Sequence, residues 1–219
     1  MNLDFGQVVP SIPFIIEGIW VTLKFVTVSA VLGFVLGILL ALSKLTRISL
    51  LNWLASVYTS IFRGTPLILQ LSIIYFATPQ LTGYQITPFI AGILTFGLNS
   101  GAYMSEIIRA GIQAVDKGQT EAAQALGVPY RPMMRQIIFP QALKNILPAM
   151  VNEFATLTKE SAIVSVIGVT DIMRRAQIVG ADTYYFFEPL LIVGFIYYLM
   201  VMCLSVTGKI IEKRLRVVD

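Results

Sequence analysis

Long stretches without a charged residue dominate the chain. They cover residues 25–43, 64–105 and 189–208. About 20 apolar residues suffice for a helix to cross the hydrocarbon core of a bilayer, and the middle stretch is long enough for two crossings with a turn. Lipid cannot satisfy backbone N–H and C=O groups, so a spanning segment must be a helix or part of a closed barrel. Continuous apolar runs, rather than alternating ones, favour helices.

The hydrophobic pattern predicts five transmembrane helices. A turn rich in helix breakers, from Thr78-Pro79-Gln80 to Thr87-Pro88, separates the second helix from the third. A short segment before the first helix, residues 8–17, is expected to lie along the membrane interface. The predicted fold is an all-α polytopic membrane protein that forms a single transmembrane domain over residues 1–219. The five spans are expected at roughly residues 19–43, 56–77, 89–108, 142–162 and 189–211.

Composition supports this fold and excludes several chemistries. Charged residues make up 13% of the chain and hydrophobic residues 56%, whereas soluble domains carry about 25% charged residues. Histidine is absent and Cys203 is the single cysteine. These facts exclude a histidine proton relay, a histidine-ligated metal, a disulfide framework and a cysteine metal site. We expect no metal and no cofactor in this chain.

The basic residues set the expected orientation, because cytoplasmic loops of membrane proteins carry an excess of Lys and Arg. With the N-terminus outside and the C-terminus inside, 12 of the 16 basic residues fall on the inner side. Only Arg174 and Arg175 fall outside, and Lys24 and Lys159 lie in or near spans. The net charge of +4 therefore reflects topology, and no nucleic-acid partner is expected. The inner residues are Lys44, Arg47, Arg63, Arg109, Lys117, Arg131, Arg135, Lys144, Lys209, Lys213, Arg214 and Arg216.

The inner loop at about residues 116–140 is unusually long and patterned. A turn at Asp116 predicts a helix start, with Glu121 in the first turn, where an acidic residue suits the helix dipole. The helix is expected to run to Leu126, and Gly127 fits the left-handed position that ends a helix. A second short helix would then begin near Pro129 and end at Pro140. The alternative is an ordinary amphipathic interfacial segment with Gly127 as a simple turn.

The order of residues in this loop resembles the signature loop of ATP-binding-cassette importer permeases. Glu121-Ala122-Ala123 is followed after three residues by Gly127, after nine more by Ile137, and then by Pro140. Phe139 stands where the family usually has Leu, a mild departure because both side chains are large and apolar. The resemblance extends to the polar amino-acid subfamily, of the histidine, arginine and glutamine type. The other matching segments are Arg63-Gly64-Thr65-Pro66, Asn99-Ser100-Gly101-Ala102-Tyr103 with Glu106, and Lys159-Glu160-Ser161.

This resemblance implies a set of partners. The loop would dock in a groove of an ATPase dimer and transmit its closure. No Gly-x-x-x-x-Gly-Lys phosphate loop occurs here, so ATP and Mg would bind in that partner. A second permease copy or homologue, an extracytoplasmic solute-binding protein, an amino-acid substrate and membrane lipid complete the set, in a bacterial inner membrane. The residues implied in ATPase coupling are Glu121, Ala122, Ala123, Leu126, Gly127, Ile137 and Pro140.

The fourth predicted span carries charged residues on one side. At 100° per residue, Asn152, Glu153, Thr156, Lys159 and Glu160 share a sector of about 120°. A charged residue at the bilayer centre costs roughly 2.5–3.5 kcal/mol on insertion scales, so these side chains should face protein or a wet cavity. They form either a structural network that joins helices or a substrate site in the translocation path. Their net charge of −1 would favour a basic amino acid such as arginine, lysine or histidine.

Several residues outside this stripe also allow two interpretations. Asn99 either lines the pore or packs closely with its glycine neighbours, and Gly33 and Gly37 are expected to serve helix packing. Pro66 and Pro148 are expected to kink their helices. The alternative function is an ion-coupled carrier or a proton-channel subunit that uses Glu153, Lys159 and Glu160 as a relay. The candidate substrate-binding residues are Asn99, Asn152, Glu153, Thr156, Lys159, Glu160 and Ser161.

Overall fold

The computed structural model describes residues 4–46 and 48–216, with side chains as far as residue 214. The predicted inner charge at Arg47 and the side chain of Arg216 lie outside the described part. All regular elements of the described part are helical. The α-helices are α1 (Ile12–Leu45), α2 (Ser49–Gly64), α3 (Leu67–Thr82), α4 (Pro88–Gln113), α5 (Lys117–Ala125), α6 (Phe139–Glu160), α7 (Ile172–Thr183) and α8 (Phe187–Arg216).

Shorter helical pieces join these elements. Two 3₁₀ turns, Phe5–Gln7 and Val9–Ser11, precede α1, and the 3₁₀ segment Ser161–Ile167 follows α6. A turn at Tyr130–Pro132 and a π-helical segment at Met133–Ile138 lead into α6. A π-helical stretch also lies within α3.

Two helical segments of the described chain, Phe5–Leu45 and Phe187–Arg214, are long and apolar enough to cross a membrane. The pair α2 and α3 makes a third candidate if it is counted as one bent span. The prediction of a separate segment at residues 8–17 is wrong for residues 12–17, which belong to α1. Pro13 stands in the first turn of α1, where its missing N–H removes no hydrogen bond.

The prediction of one continuous second helix at residues 56–77 is also wrong. The chain turns by 104° between α2 and α3. Thr65 and Pro66 adopt extended backbone at the corner, because a proline disfavours the helical conformation of the residue before it. The predicted kink at Pro66 is therefore confirmed, and it is large enough to divide the span into two separate helices.

Helices α1 and α4 form the centre of the fold through close contact at glycines. A Cβ added at Gly33 would lie 2.7 Å from the Ser100 Cβ, and one at Gly37 would lie 2.4 Å from the Met104 Cβ. The predicted packing role of these two glycines is confirmed, since only a missing side chain permits this approach. Nearer the N-terminal ends of both helices, the rings of Phe25 and Phe96 meet edge to face with centroids 5.0 Å apart.

An ion-pair network joins three helices at the end of α1. The Lys44 ammonium contacts Glu106 of α4 and donates to Thr59 Oγ1 of α2 at 2.6 Å. Arg109 pairs with the same Glu106 carboxylate. Lys44, which the sequence assigns to the inner side, thus also fastens α1 to α2 and α4, while Arg109 pairs with Glu106 within α4.

A buried carboxylate organises the segment that leads into α7. Asp171 caps α7 by accepting from the Arg174 N–H at 2.8 Å, and it also accepts from the Tyr197 hydroxyl of α8 at 3.1 Å. Burial raises the pKa of Asp171 to about 6, although these hydrogen bonds act in the opposite direction. Arg175 pairs with Glu17 of α1 at 2.8 Å, so α7 is held by both α1 and α8.

Candidate functional site

The loop helix α5 begins and ends with well-defined caps. Asp116 accepts from the Gly118 N–H at 2.6 Å and starts the helix. Glu121 lies in the second turn rather than the first, so the predicted position is wrong by one turn and Asp116 supplies the negative charge at the N-terminus. Helix α5 ends at Ala125, and Leu126 is its C-cap.

The turn at Gly127 is a Schellman motif. Gly127 has φ +72°, which confirms the predicted left-handed backbone. Its N–H donates to the Gln124 carbonyl and the Val128 N–H donates to the Ala123 carbonyl, both at 2.9 Å. The turn therefore satisfies two carbonyl groups that would otherwise lack a partner at the helix end.

A small apolar cluster holds α5 in place. Ala123, Met133 and Ile138 are buried together, and Ile137 packs against them half-buried. The opposite side of α5 is open: Glu121, Ala122 and Leu126 are exposed, and Leu126 keeps 83% of its surface accessible. The loop thus presents a surface that combines an acidic side chain with small and large apolar side chains.

The prediction that Pro140 ends a second short helix is wrong. The backbone stays helical from residue 130 to residue 160, and Pro140 lies just after the π-helical segment that leads into α6. In the π-helical segment Met133–Ile138, just before this proline, backbone hydrogen bonds join residues five apart instead of four. The arm after Gly127, residues 130–138, is therefore continuous with the predicted fourth span.

Helix α6 carries a polar stripe along its length. Gln141, Asn145, Asn152, Thr156 and Lys159 succeed one another at spacings of three, four or seven residues, which place them on one face. Asn152 and Lys159 are exposed and Thr156 is half-buried. The predicted stripe thus gains two further members toward the loop, Asn145 and Gln141, which the sequence analysis does not include.

Two carboxylates border this stripe. Glu153 accepts from the Ser100 hydroxyl of α4 at 3.2 Å and is half-buried. Glu160 is also half-buried, whereas Ser161 is fully buried and donates to the Thr158 carbonyl at 2.8 Å. The structure therefore brings Glu153 to the interface of α4 and α6, and buries Ser161 at the start of the 3₁₀ segment that follows α6.

Asn99 lies in a different environment from the stripe. Its Nδ2 group donates to Gln70 Oε1 and to the Phe62 carbonyl, each at 3.0 Å. Gln70 Nε2 also donates to the Phe62 carbonyl, at 2.9 Å, and to Thr65 Oγ1, at 2.8 Å. These contacts fasten the corner between α2 and α3. The sequence alone does not single out Gln70, because it is an uncharged residue inside an uncharged run.

A cavity of about 760 Å³ lies between the loop and the stripe. Asp116 at the start of α5 lines one side, Asn145 and Asn152 of α6 line another, and Glu212 of α8 contributes as well. The cavity connects the loop region with the N-terminal part of the polar stripe. Among the described residues, no group of three or more Asp, Glu, His or Cys side chains could hold a metal ion.

Comparison with known proteins gives the same picture. The chain is 58% identical to the "Arginine transport system permease protein ArtQ" of Bacillus subtilis (strain 168), over 99% of both chains. It is 54% identical to the "Putative glutamine transport system permease protein GlnP" of Rickettsia bellii (strain RML369-C), over 94% of both.

A solved structure and a family description match as well. The "Crystal structure of an amino acid ABC transporter with histidines" contains a chain that is 45% identical, with a TM-score of 0.94, over 98% of this chain and 100% of that one. The family described as "Binding-protein-dependent transport system inner membrane component" matches residues 33–217. The loop resemblance and the permease fold are thereby confirmed, and the chain belongs to the family of inner-membrane permease components of binding-protein-dependent ATP-binding-cassette importers.

Proposed function

We propose that this chain is the permease subunit of an importer for a polar, basic amino acid, driven by ATP hydrolysis in a separate subunit. The observation that carries the proposal is the exposed helix α5, which is capped at both ends. It is joined through Gly127 and the arm to α6, which bears the polar stripe. The names of the relatives, one an arginine permease and one a putative glutamine permease, support an amino-acid substrate. The family match disfavours the ion-coupled alternative.

The proposed topology has five spans in a bacterial inner membrane, formed by α1, the α2–α3 pair, α4, α6 and α8. Helices α4 and α6 contain 26 and 22 residues and so reach about 39 and 33 Å, enough for a hydrocarbon core of about 30 Å. The distribution of basic residues supports an outer N-terminus and an inner C-terminus. On this orientation, α5 faces the cytoplasm.

Helix α5 would seat in a groove of the ATPase dimer. The exposed Glu121, Ala122 and Leu126 supply the contact surface, while Ala123, packed on Met133, ties α5 to the rest of the chain. Since the backbone is helical from residue 130 to residue 160, a displacement of α5 by the ATPase would be carried to the stripe. Ile137 in the arm and Pro140 in α6 would lie on this connection.

The substrate would interact with the polar stripe and its bordering carboxylates. The net charge of Glu153, Lys159 and Glu160 is −1, which suits a substrate with a cationic side chain. Lys159 would meet the α-carboxylate, and Glu153, positioned by Ser100, would meet the side-chain cation. Asn152 and Thr156 would offer hydrogen bonds along the way to the loop-side cavity. The roles suggested for Asn99 and Ser161 stay predictions.

A complete importer would add three partners: the ATPase dimer, a second permease copy or homologue that supplies the other half of the pathway, and an extracytoplasmic solute-binding protein. The test is uptake of radiolabelled arginine by vesicles that contain the purified complex, with ATP enclosed or with an ion gradient alone. We expect uptake that requires ATP and competition by lysine and histidine. Uptake that follows the ion gradient without ATP would overturn the proposal.

A further inference from the structure

An apolar groove of about 690 Å³ lies where α1, α4 and α6 meet the arm at residues 130–138. It is distinct from the cavity beside the polar stripe, and the two share no lining residue. Its walls include Phe34, Leu42, Leu143, Leu147 and Met150. Of these, Leu42 keeps 60% of its surface exposed, so the groove opens to the outside of the chain.

The depth of the groove matches one leaflet of a bilayer. Its lining on α6 runs from Phe139 to Met150, and its lining on α1 runs from Leu45 back to Phe34. Each stretch rises about 16 Å at 1.5 Å per residue, and half of a hydrocarbon core measures about 15 Å. Two helices thus give the same depth independently.

The mouth of the groove is basic. Arg131 and Arg135 line it, stand four residues apart and are both exposed. In the described part of the chain, neither guanidinium has a hydrogen bond, an ion pair or a ring contact. No described acidic side chain lines the groove. Tyr130, an amphipathic residue of the kind enriched at membrane interfaces, lies at the same level and is 69% exposed.

A second apolar groove, of about 400 Å³, continues the first. It shares Phe34, Leu147 and Met150 with the first groove and extends between α6 and Leu204 of α8. The combined surface offers an apolar path for more than one extended hydrocarbon chain, with positive charge at one end only.

We propose that this groove binds an anionic phospholipid of the inner leaflet. The phosphate would lie between Arg131 and Arg135, which can each donate two parallel hydrogen bonds to it, and an acyl chain would follow the groove toward Met150. Basic pockets between transmembrane helices on the cytoplasmic side are suited to such headgroups. The proposal rests on the proposed orientation, which puts Arg131 at the cytoplasmic surface. Because Arg131 and Arg135 belong to the arm after Gly127, the lipid would fix the position from which α5 reaches the ATPase.

The test is native mass spectrometry of the purified complex titrated with phosphatidylglycerol or phosphatidylcholine. We expect the double variant Arg131→Gln/Arg135→Gln to bind phosphatidylglycerol roughly 30-fold more weakly, since each basic residue near an anionic headgroup contributes about fivefold. The matched control is Lys209→Gln/Lys213→Gln, which removes two exposed cations also spaced four residues apart. Equal losses in the two double variants would overturn the proposal, because they would indicate general charge attraction.

A second variant tests the acyl chain. Leu42→Trp fills the groove from an exposed position and leaves both arginines in place, so we expect it to weaken phosphatidylglycerol and to leave binding of glycerol phosphate unchanged. A photoreactive residue at position 42 should capture lipid; capture of the ATPase or of a second permease copy would overturn the proposal. Lipid binding is read without transport, so its failure is distinguishable from failure of the proposed import. Labelling of a cysteine at position 131 from the outer side only would refute the orientation for both.

Discussion

The Nδ2 group of Asn99 lies 3.0 Å from Oε1 of Gln70, and the two amides together close the corner between α2 and α3. Both also donate to the Phe62 carbonyl, one of the last carbonyls of α2 and without a helical partner once the chain turns at Pro66. The 104° bend thus depends on polar side chains buried at the corner. In a membrane protein, unsatisfied backbone groups at such a position would be costly.

Replacement of Gln70 by Met should weaken this corner. Gln70→Met removes the donors to Phe62 and Thr65 and the acceptor of Asn99, and we expect a loss of about 1–3 kcal/mol from the groups left unpaired. The measurement is the free energy of unfolding of the purified chain in mixed micelles. Gln80→Met, at an exposed position of α3, is the control and should change stability little. A double-mutant cycle with Asn99→Ala that shows no coupling would contradict the role of the pair.

The contact between α1 and α4 should not tolerate a methyl group at Gly37. The added Cβ would lie 2.4 Å from the Met104 Cβ and 3.2 Å from backbone, so Gly37→Ala must push the helices apart, at a cost of about 1–3 kcal/mol. Gly64→Ala is the matched control, since a Cβ there meets no atom within 4 Å. Thermal unfolding followed by circular dichroism compares the two variants. Equal midpoints would show that the helices separate without cost.

The sequence predicts much of this fold because hydrophobic length and charge asymmetry are local signals. The positions of α1, α4 and α8 follow from the apolar runs, and the left-handed turn follows from Gly127. The corner at Pro66 was expected only as a kink, because its size depends on Gln70 and Asn99, which are 29 residues apart and meet only in the folded chain. Periodicity cannot reveal such contacts.

The candidate site could likewise be predicted from the sequence only in part. The stripe from Asn152 to Lys159 could be predicted, since a helix places residues at spacings of three and four on one face. Its contact with α4 could not, because nothing local pairs Ser100 with Glu153. Pro140 was expected to end a helix, but the backbone is helical on both sides of it, and the preceding π-helical segment joins the arm to α6.

Stability should fall as pH rises through the titration of Asp171. Its pKa is about 6 in the folded chain against an ordinary value of 3.8, so the ionised form is disfavoured by folding. The penalty is absent below about pH 4 and complete above about pH 6, and it amounts to about 3 kcal/mol. Asp171→Asn should remove this pH dependence while its amide oxygen can still accept from the Arg174 N–H. Unfolding midpoints at pH 4.5 and 7.5 test it; an identical pH dependence in the variant would refute the assignment.

Gly127 should be required for coupling rather than for insertion. No atom lies within 4 Å of a Cβ at this position, so the obstacle to Gly127→Val is its φ of +72°, which costs about 1–2 kcal/mol for ordinary residues. Relief of that strain would unwind the Schellman turn and shift the exposed Leu126. We expect ATP-driven uptake to be lost and membrane insertion to be kept. Gly127→Asn tolerates the same backbone and should retain most uptake; equal loss in both variants would exclude the backbone explanation.

Glu153 should discriminate between basic and neutral substrates. Glu153→Gln keeps an oxygen to accept from Ser100 Oγ but removes the negative charge, and a hydrogen bond to a charged group contributes about 1.5–3 kcal/mol. We therefore expect the KM for arginine to rise roughly tenfold or more, with the KM for glutamine little changed, in vesicles that contain the ATPase and the binding protein. Glu160→Gln, which changes charge by the same amount two turns along α6, is the control and should have the smaller effect. If arginine and glutamine lose uptake equally in Glu153→Gln, the carboxylate is a structural partner of Ser100 that joins α4 to α6.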